Sequence, residues 1–208
     1  MTKIVKLLLL AGVFFSVPVH AALTIEITQG VEGAVPIAVV PLGWRGTAAA
    51  APENIAAIIA ADLNRSGRFE SLPDRDLVAH PVTAEQVKFQ NWRMLNVDNL
   101  VIGQLEETSA GQYSVRYELF DVFRGKRLAG STFPVAARDL RRVAHHISDL
   151  IYETLTGERG AFNTQIAYVT SSGSSKNKTY TLLVADSDGY SPVSYTHLRA
   201  HETYEGIS

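Results

Sequence analysis

Chemistry in this chain has to be sought among few residues, because the sequence holds no cysteine. That absence removes a thiolate nucleophile, thiolate metal ligands and disulfide staples, along with the lipid-bearing cysteine of a bacterial lipoprotein. His145 and His146 are neighbours on a predicted helix, so they point roughly 100° apart and do not share a metal as residues at i and i+4 can. With Arg138, Arg141 and Arg142, His145 lies opposite the apolar stripe of that helix, where charge is expected on a solvated face and a partner-binding patch is the minority reading. Glu106 and Glu107 are adjacent at a strand end and face opposite sides, which makes them a poor acid and base pair. Asp186-Ser187-Asp188-Gly189 carries part of a calcium-loop pattern without the distal glutamate, and turn chemistry accounts for it. Gly189-Tyr190-Ser191-Pro192-Val193 lacks the last glycine of a nucleophile elbow. The run His201-Glu202-Thr203-Tyr204-Glu205 lacks the second histidine of a zinc-protease helix. There is no glycine-rich phosphate loop. These residues point to no catalytic centre, no metal and no cofactor, so the chain is expected not to be an enzyme.

Hydrophobic period gives the elements that position these side chains. Leu23-Thr24-Ile25-Glu26-Ile27-Thr28 alternates, placing Leu23, Ile25 and Ile27 on one face of a strand that Gly30 ends. Ile37 to Val40, between Pro36 and Pro41, reads as a strand covered on both faces. Pro52 to Ser66 reads as a helix: Pro52 suits the first turn, Glu53 the positive end of the dipole, and Ile55, Ile58, Ile59 and Leu63 recur at helical spacing. Gly67 supplies the left-handed stop, and a short apolar return follows at Phe69 and Leu72. Thr83 opens a second helix carrying Val87, Trp92 and Leu95. Asp98 to Leu105 is another buried strand. Beyond the turn at Ser109-Ala110-Gly111, Tyr113 to Leu119 alternates, and past Gly125 a strand through Leu128 and Phe133 completes a meander with one wet face. From Arg138 to Thr156 the period is helical, with Leu140, Val143, Ile147, Leu150, Ile151 and Leu155 on one stripe and Gly157 as stop. The fold class is therefore α/β, with a mixed sheet packed by helices over residues 22–160. Past Gly160, Ile166 to Val169 and Tyr180 to Val184 are strands flanking a flexible stretch, Ser171 to Asn177. Such a hairpin is marginal alone and needs more chain to bury its faces. From Val193 onward no steady period is visible.

The first residues carry an export signal: basic Lys3 and Lys6, apolar Leu7 to Val17, and Val19-His20-Ala21 ending on small residues, so that residues 1–21 are cleaved away between Ala21 and Ala22. The apolar stretch is too short for roughly 30 Å of hydrocarbon, and Pro18 breaks it. No later segment has the length of a spanning helix, and the mature chain is expected to be soluble. Loss of the two leader lysines takes the formal charge from −2 further negative, which argues against nucleic acid or anionic lipid as partner. With 46% hydrophobic residues, a core without staples is feasible. The freed strand after the cleavage site pairs either with its own sheet's edge or, by backbone hydrogen bonds, with a partner's sheet. On the residues alone, the former is the better reading. Trp44 and Trp92 would serve a glycan-binding surface, but both stand in apolar contexts that suit a core.

Four motifs, in order, resemble the TolB family. Pro36-Ile37-Ala38-Val39-Val40-Pro41-Leu42-Gly43-Trp44 and Ile59-Ala60-Ala61-Asp62-Leu63-Asn64-Arg65-Ser66-Gly67-Arg68-Phe69 are similar to its N-terminal domain. Leu155-Thr156-Gly157-Glu158-Arg159-Gly160-Ala161-Phe162-Asn163-Thr164-Gln165-Ile166-Ala167-Tyr168-Val169 and Asp186-Ser187-Asp188-Gly189-Tyr190 are similar to the family's entry into its first propeller blade. The resemblance runs from about Ala22 to Ser191 and implies a non-enzymatic periplasmic component of the Tol-Pal envelope system of a Gram-negative bacterium. It implies an α/β domain followed by a β-propeller, no cofactor, and a role in holding the outer membrane and drawing it inward at division. It also implies two partners: Pal on the propeller, and the C-terminal domain of TolA on the segment after the signal peptide. That segment here is Ala22, Leu23, Thr24, Ile25, Glu26, Ile27, Thr28, Gln29 and Gly30, which raises the partner-strand reading above the self-paired one.

The chain departs from the family in lacking nearly all of the propeller, so residues 161–192 are expected to be an incomplete first blade and the Pal surface to be largely absent. Val193 to Thr203 looks like translated adapter sequence, and 193–208 is expected to be a non-native tail. The alternative function is a truncated secreted hydrolase whose catalytic half followed a propeller. A nucleophile elbow with later Asp and His beyond the last blade would mark it.

Overall fold

The computed structural model describes residues 33–174 and 177–199. The predicted leader, its cleavage point at Ala21 and Ala22, the strand Ala22 to Gly30 and the run His201 to Glu205 lie outside the described residues.

Six strands, β1 (Val35–Val39), β2 (Gly43–Arg45), β3 (Phe69–Ser71), β4 (Asn99–Ser109), β5 (Gln112–Asp121) and β6 (Lys126–Ala136), build one mixed sheet in the order β3-β1-β4-β5-β6, with β2 also on β4. β1 runs parallel to both β3 and β4, and β2 continues along the same edge of β4. The antiparallel meander β4-β5-β6 follows, as the alternation predicts. In β1, Ile37 and Val39 join one core cluster while Ala38, with Val40 just past the strand's end, joins the other. In β4, Val101 and Leu105 face the first cluster, Leu100 and Ile102 the second. The unbroken apolar runs of β1 and β4 thus have their cause in a sheet covered on both faces.

The first face is covered by α1 (Ile55–Arg65) and α3 (Leu140–Thr156), whose Ile59, Leu63, Ile147 and Ile151 are wholly buried. Burial of each such side chain stabilises the fold by about 1.5–3 kcal/mol. The second face is closed by α2 (Phe89–Arg93) and its flanks, through Val87, Trp92 and Val97. None of these helices is long and apolar enough to cross a membrane.

Three helical predictions shift in detail. α1 starts at Ile55 rather than Pro52, because Asn54 takes the cap and its side chain accepts the Ala57 N–H at 3.1 Å. Its end is as expected, with Gly67 at φ +70°. The single helix expected from Thr83 is two pieces, a 3-10 turn Ala84–Gln86 and α2, since Val87 leaves the helical path to enter the core. Before α3, residues Ala137–Asp139 form a 3-10 turn, and the helix ends on the left-handed Gly157.

Three further strands, β7 (Gln165–Ser174), β8 (Asn177–Asp186) and β9 (Val193–Arg199), form a separate antiparallel sheet in that order. Both hairpin strands are longer than predicted and run through most of the stretch expected to be flexible. β9 forms although no steady period is visible from Val193 onward. It pairs with β8 from Val184↔Val193 to Thr179↔Arg199, with a register irregularity at Leu182 and Leu183. Pairing to an open edge is made by the backbone, and Val193 and Tyr195 keep exposed side chains, so burial imposes no apolar period there.

Candidate functional site

Asp62 stands on α1 one turn beyond Ile58 and Ile59, on the face that enters the core, and it is 1% exposed. A carboxylate in such a place needs charged or hydrogen-bonding partners. It has two. Arg65 pairs with Oδ1, and Nδ1 of His145 lies 2.7 Å from Oδ2. His145 itself is 2% exposed. The solvated face expected for His145 is therefore corrected: α1 and α3 pack directly together, and the residue beside buried Ala144 falls inside their seam.

The basic side of α3 divides in two. Arg138 and Arg142 remain exposed and pair with Asp139. Arg141 is drawn inward, where its guanidinium pairs with Asp188, sits 3.8 Å above the Tyr190 ring and lies 3.9 Å from Glu53. His146 stands apart from this site, half-buried, its ring packed nearly perpendicular to that of Phe133 with centroids 5.4 Å apart.

The third wall is the turn after β8. Gly189 at φ +82° closes it through its N–H to Asp186 O at 2.7 Å, and the Tyr190 N–H donates to Asp188 Oδ1 at 2.9 Å. Turn chemistry thus accounts for the backbone of Asp186 to Gly189, but the side chain of Asp188 also reaches the seam, its Oδ2 3.8 Å from His145 Nε2. Ser187 ties the turn to the start of β7 by its N–H to Thr164 O and its hydroxyl to Phe162 O. Asp149 of α3 holds the same linker, accepting the N–H groups of Phe162 at 2.7 Å and Asn163 at 3.2 Å.

Electrostatically the cluster alternates in sign. The hydrogen bond that the His145 ring N–H donates to Asp62 raises the affinity of His145 for its proton above the ordinary imidazole value; burial opposes this, and the charges of Asp62 and Asp188 add to it. For Asp188, burial pushes the carboxyl up, but the Tyr190 N–H with the charges of Arg141 and His145 outweighs it and leaves the group below its usual range. A pocket of about 390 Å³ opens beside His145 and Asp186, with Arg142, Asn163, Thr164 and Gln165 as its other walls.

The remaining sequence candidates serve structure. Glu106 and Glu107 face opposite sides, and Glu107 accepts the N–H and hydroxyl of Thr47 at 2.9 and 2.7 Å. Those bonds hold its carboxyl below the ordinary value. Trp92 is buried in the second cluster, while Trp44 packs against Tyr113 and donates from Nε1 to Ala48 O at 2.8 Å. Sequence reasoning missed Asp62, and the signal was present: it is the one carboxylate among the apolar positions of its helix.

A family model of the TolB amino-terminal domain matches residues 23–128. The chain is 50% identical over 202 residues to the Tol-Pal system protein TolB of Nitrosococcus oceani, covering 96% of this chain and 46% of that protein. With the TolB of Thioalkalivibrio sulfidiphilus it shares 45% identity over 192 residues, covering 92% of this chain and 44% of the relative. The crystal structure of TolB from Acinetobacter baumannii superposes with a TM-score of 0.68 at 33% identity, over 79% of this chain and 39% of that one. The chain spans less than half the length of these relatives. With a domain model matched over residues 23–128, which hold the first five strands of the mixed sheet and its first helices, and relatives of one name along most of its length, this chain belongs to the TolB family.

Proposed function

We propose that this chain is the N-terminal part of a periplasmic adaptor of the Tol-Pal system, acting by binding proteins and not by catalysis. The observation that carries the reading is the match of residues 23–128 to the TolB amino-terminal domain, in a chain whose relatives are named Tol-Pal system proteins. Its most charged buried cluster supports the same view: Asp62 is held by Arg65 and His145, and Asp188 by Arg141, so each carboxylate is engaged within the fold. Export through the leader, cleaved between Ala21 and Ala22, delivers the chain to the periplasm.

TolA is the proposed partner of the new N-terminus. Ala22 to Gly30 alternates as a strand, and such a terminus adds to an open sheet edge by backbone hydrogen bonds. The sheet β7-β8-β9 is proposed to begin with the first propeller blade over residues 161–192. Support comes from Ile166 and Val169, which are 42% and 61% exposed on opposite faces of β7 and leave apolar surface for further chain to cover. Pal is proposed to bind the propeller that the longer relatives complete, and the assembly to support outer-membrane integrity and constriction at division.

A proline at Ile25 tests the strand-addition step. The change removes a ladder donor and fixes φ, so capture of the TolA C-terminal domain in a pull-down is expected to weaken by about tenfold or more. Far-UV circular dichroism is expected to stay unchanged. Undiminished capture would count against strand addition.

A further inference from the structure

We propose that His145, Asp186 and Asp188 form a binding site for a single divalent transition-metal ion of the zinc class. One donor atom from each residue, the imidazole nitrogen and two carboxylate oxygens, lies within 4.8 Å of the others. Nε2 of His145 and Oδ2 of Asp188 are 3.8 Å apart. Donors of a tetrahedral zinc ion, bound at about 2.0–2.2 Å, stand about 3.4 Å from one another, so closure takes movements of a few tenths of an ångström at this pair.

Acidic clusters are common on protein surfaces, and the imidazole is what distinguishes this one. His145 is 98% buried and its Nε2 has no hydrogen-bond partner, whereas buried polar atoms ordinarily have one. Its Nδ1 faces Asp62 Oδ2 at 2.7 Å, and Arg65 fixes the other oxygen of Asp62. With the Nδ1 proton held by that carboxylate, a bound ion would take the place of any proton on Nε2, which stands 3.8 Å from Asp188 Oδ2, and release it to solvent. Metal-binding histidines are oriented and made more basic by this same kind of carboxylate contact. Asp186 stands at the rim of the pocket beside His145, which gives an ion and a coordinating water a route in. Imidazole with two carboxylates suits zinc, nickel or copper better than magnesium or calcium, whose sites are built from oxygen alone.

Arg141 is the competitor, since it occupies Asp188 Oδ2. It retains Glu53 and the Tyr190 ring when the ion takes that oxygen. Arg142, which also lines the pocket, has its charge engaged by Asp139 at 2.7 Å. Metal binding would tie α3 to the turn after β8 and so brace the junction between the two sheets.

The test is a calorimetric titration of the full chain, stripped with chelator, with zinc chloride at about pH 8, above the ordinary imidazole range. One ion per chain is expected. Asp186→Asn preserves shape and is expected to weaken binding at least about tenfold, and Asp62→Asn about 10–100-fold through the imidazole. The paired change His197→Ala and His201→Ala is expected to leave it intact. Zinc is also expected to raise the melting temperature of the parent chain and not that of Asp186→Asn. Absence of saturable binding, equal affinity in Asp186→Asn, or loss in the His197 and His201 variant overturns the assignment.

Discussion

Asp62 joins two helices through atoms that belong to different parts of the sequence: its partner His145 is 83 residues away. Removing one member of a buried charge pair strands the other, at a cost of about 3–5 kcal/mol. Asp62→Ala is accordingly expected to lower unfolding free energy by about 3 kcal/mol in urea titration. Changing Asp62 and His145 together to leucine is expected to cost less than the two single changes summed, because no orphaned charge remains. Additive costs would show that the pair is not coupled. A second residue carries a pH signature. Asp121 accepts the backbone N–H of Arg124 at 2.8 Å, and this bond, aided by the Arg124 guanidinium and opposed by burial, holds its carboxyl below the ordinary value. With the folded value depressed, its contribution is present above about pH 3.9 and disappears as pH falls through the folded value. The stability of the parent chain over Asp121→Asn, followed by urea titration at successive pH values, is expected to shrink below about pH 3.9. A constant difference across that range would contradict it. At this scale the sequence was partly legible. A carboxylate among Ile58, Ile59 and Leu63 announces a buried partner, but its identity depends on how α1 and α3 meet. A helical wheel drawn for α3 alone puts His145 in water.

Elements were most legible where one physical demand dominates. β1 and β4 are apolar without break because both faces are covered, and α3 shows its stripe because one side lies on the sheet. The segment after Thr83 was less so, since its helical signals are real but Val87 is pulled into the second core cluster between two short pieces. β9 was not legible, because an edge strand with exposed Val193 and Tyr195 needs no pattern. Two glycines of the meander separate space from conformation. At Gly103 a Cβ would meet Arg116 O at 2.2 Å, inside the β4-β5 ladder. Gly103→Ala is therefore expected to cost about 1–3 kcal/mol, with loss of hydrogen-exchange protection on both strands. Gly111 has no atom near its would-be Cβ, but its φ is +72°. Gly111→Ala is expected to cost only about 1 kcal/mol and leave the ladder protected. The reverse ranking, measured by thermal melts, would mean that the turn and not the strand contact sets the tolerance.

For the molecule as a whole, the α/β sheet with its two covered faces could be read from period, punctuation and family motifs together, whereas the junction around Asp188 could not. That junction arises where α3, the linker from Ala161 to Thr164 and the turn after β8 converge, and no single stretch contains it. Residues in the turn read as ordinary turn chemistry because their side-chain partners lie on α3. In the proposed function the folded domain serves as support and the N-terminus freed by the proposed cleavage serves recognition, in a chain that covers less than half of its relatives' length. The most direct measurement compares, by calorimetry, the TolA C-terminal domain titrated into the chain beginning at Ala22 and into the same chain lacking Ala22 to Gly30. Binding is expected for the first and a loss of about 100-fold or more for the second. Equal affinity for the two would contradict it.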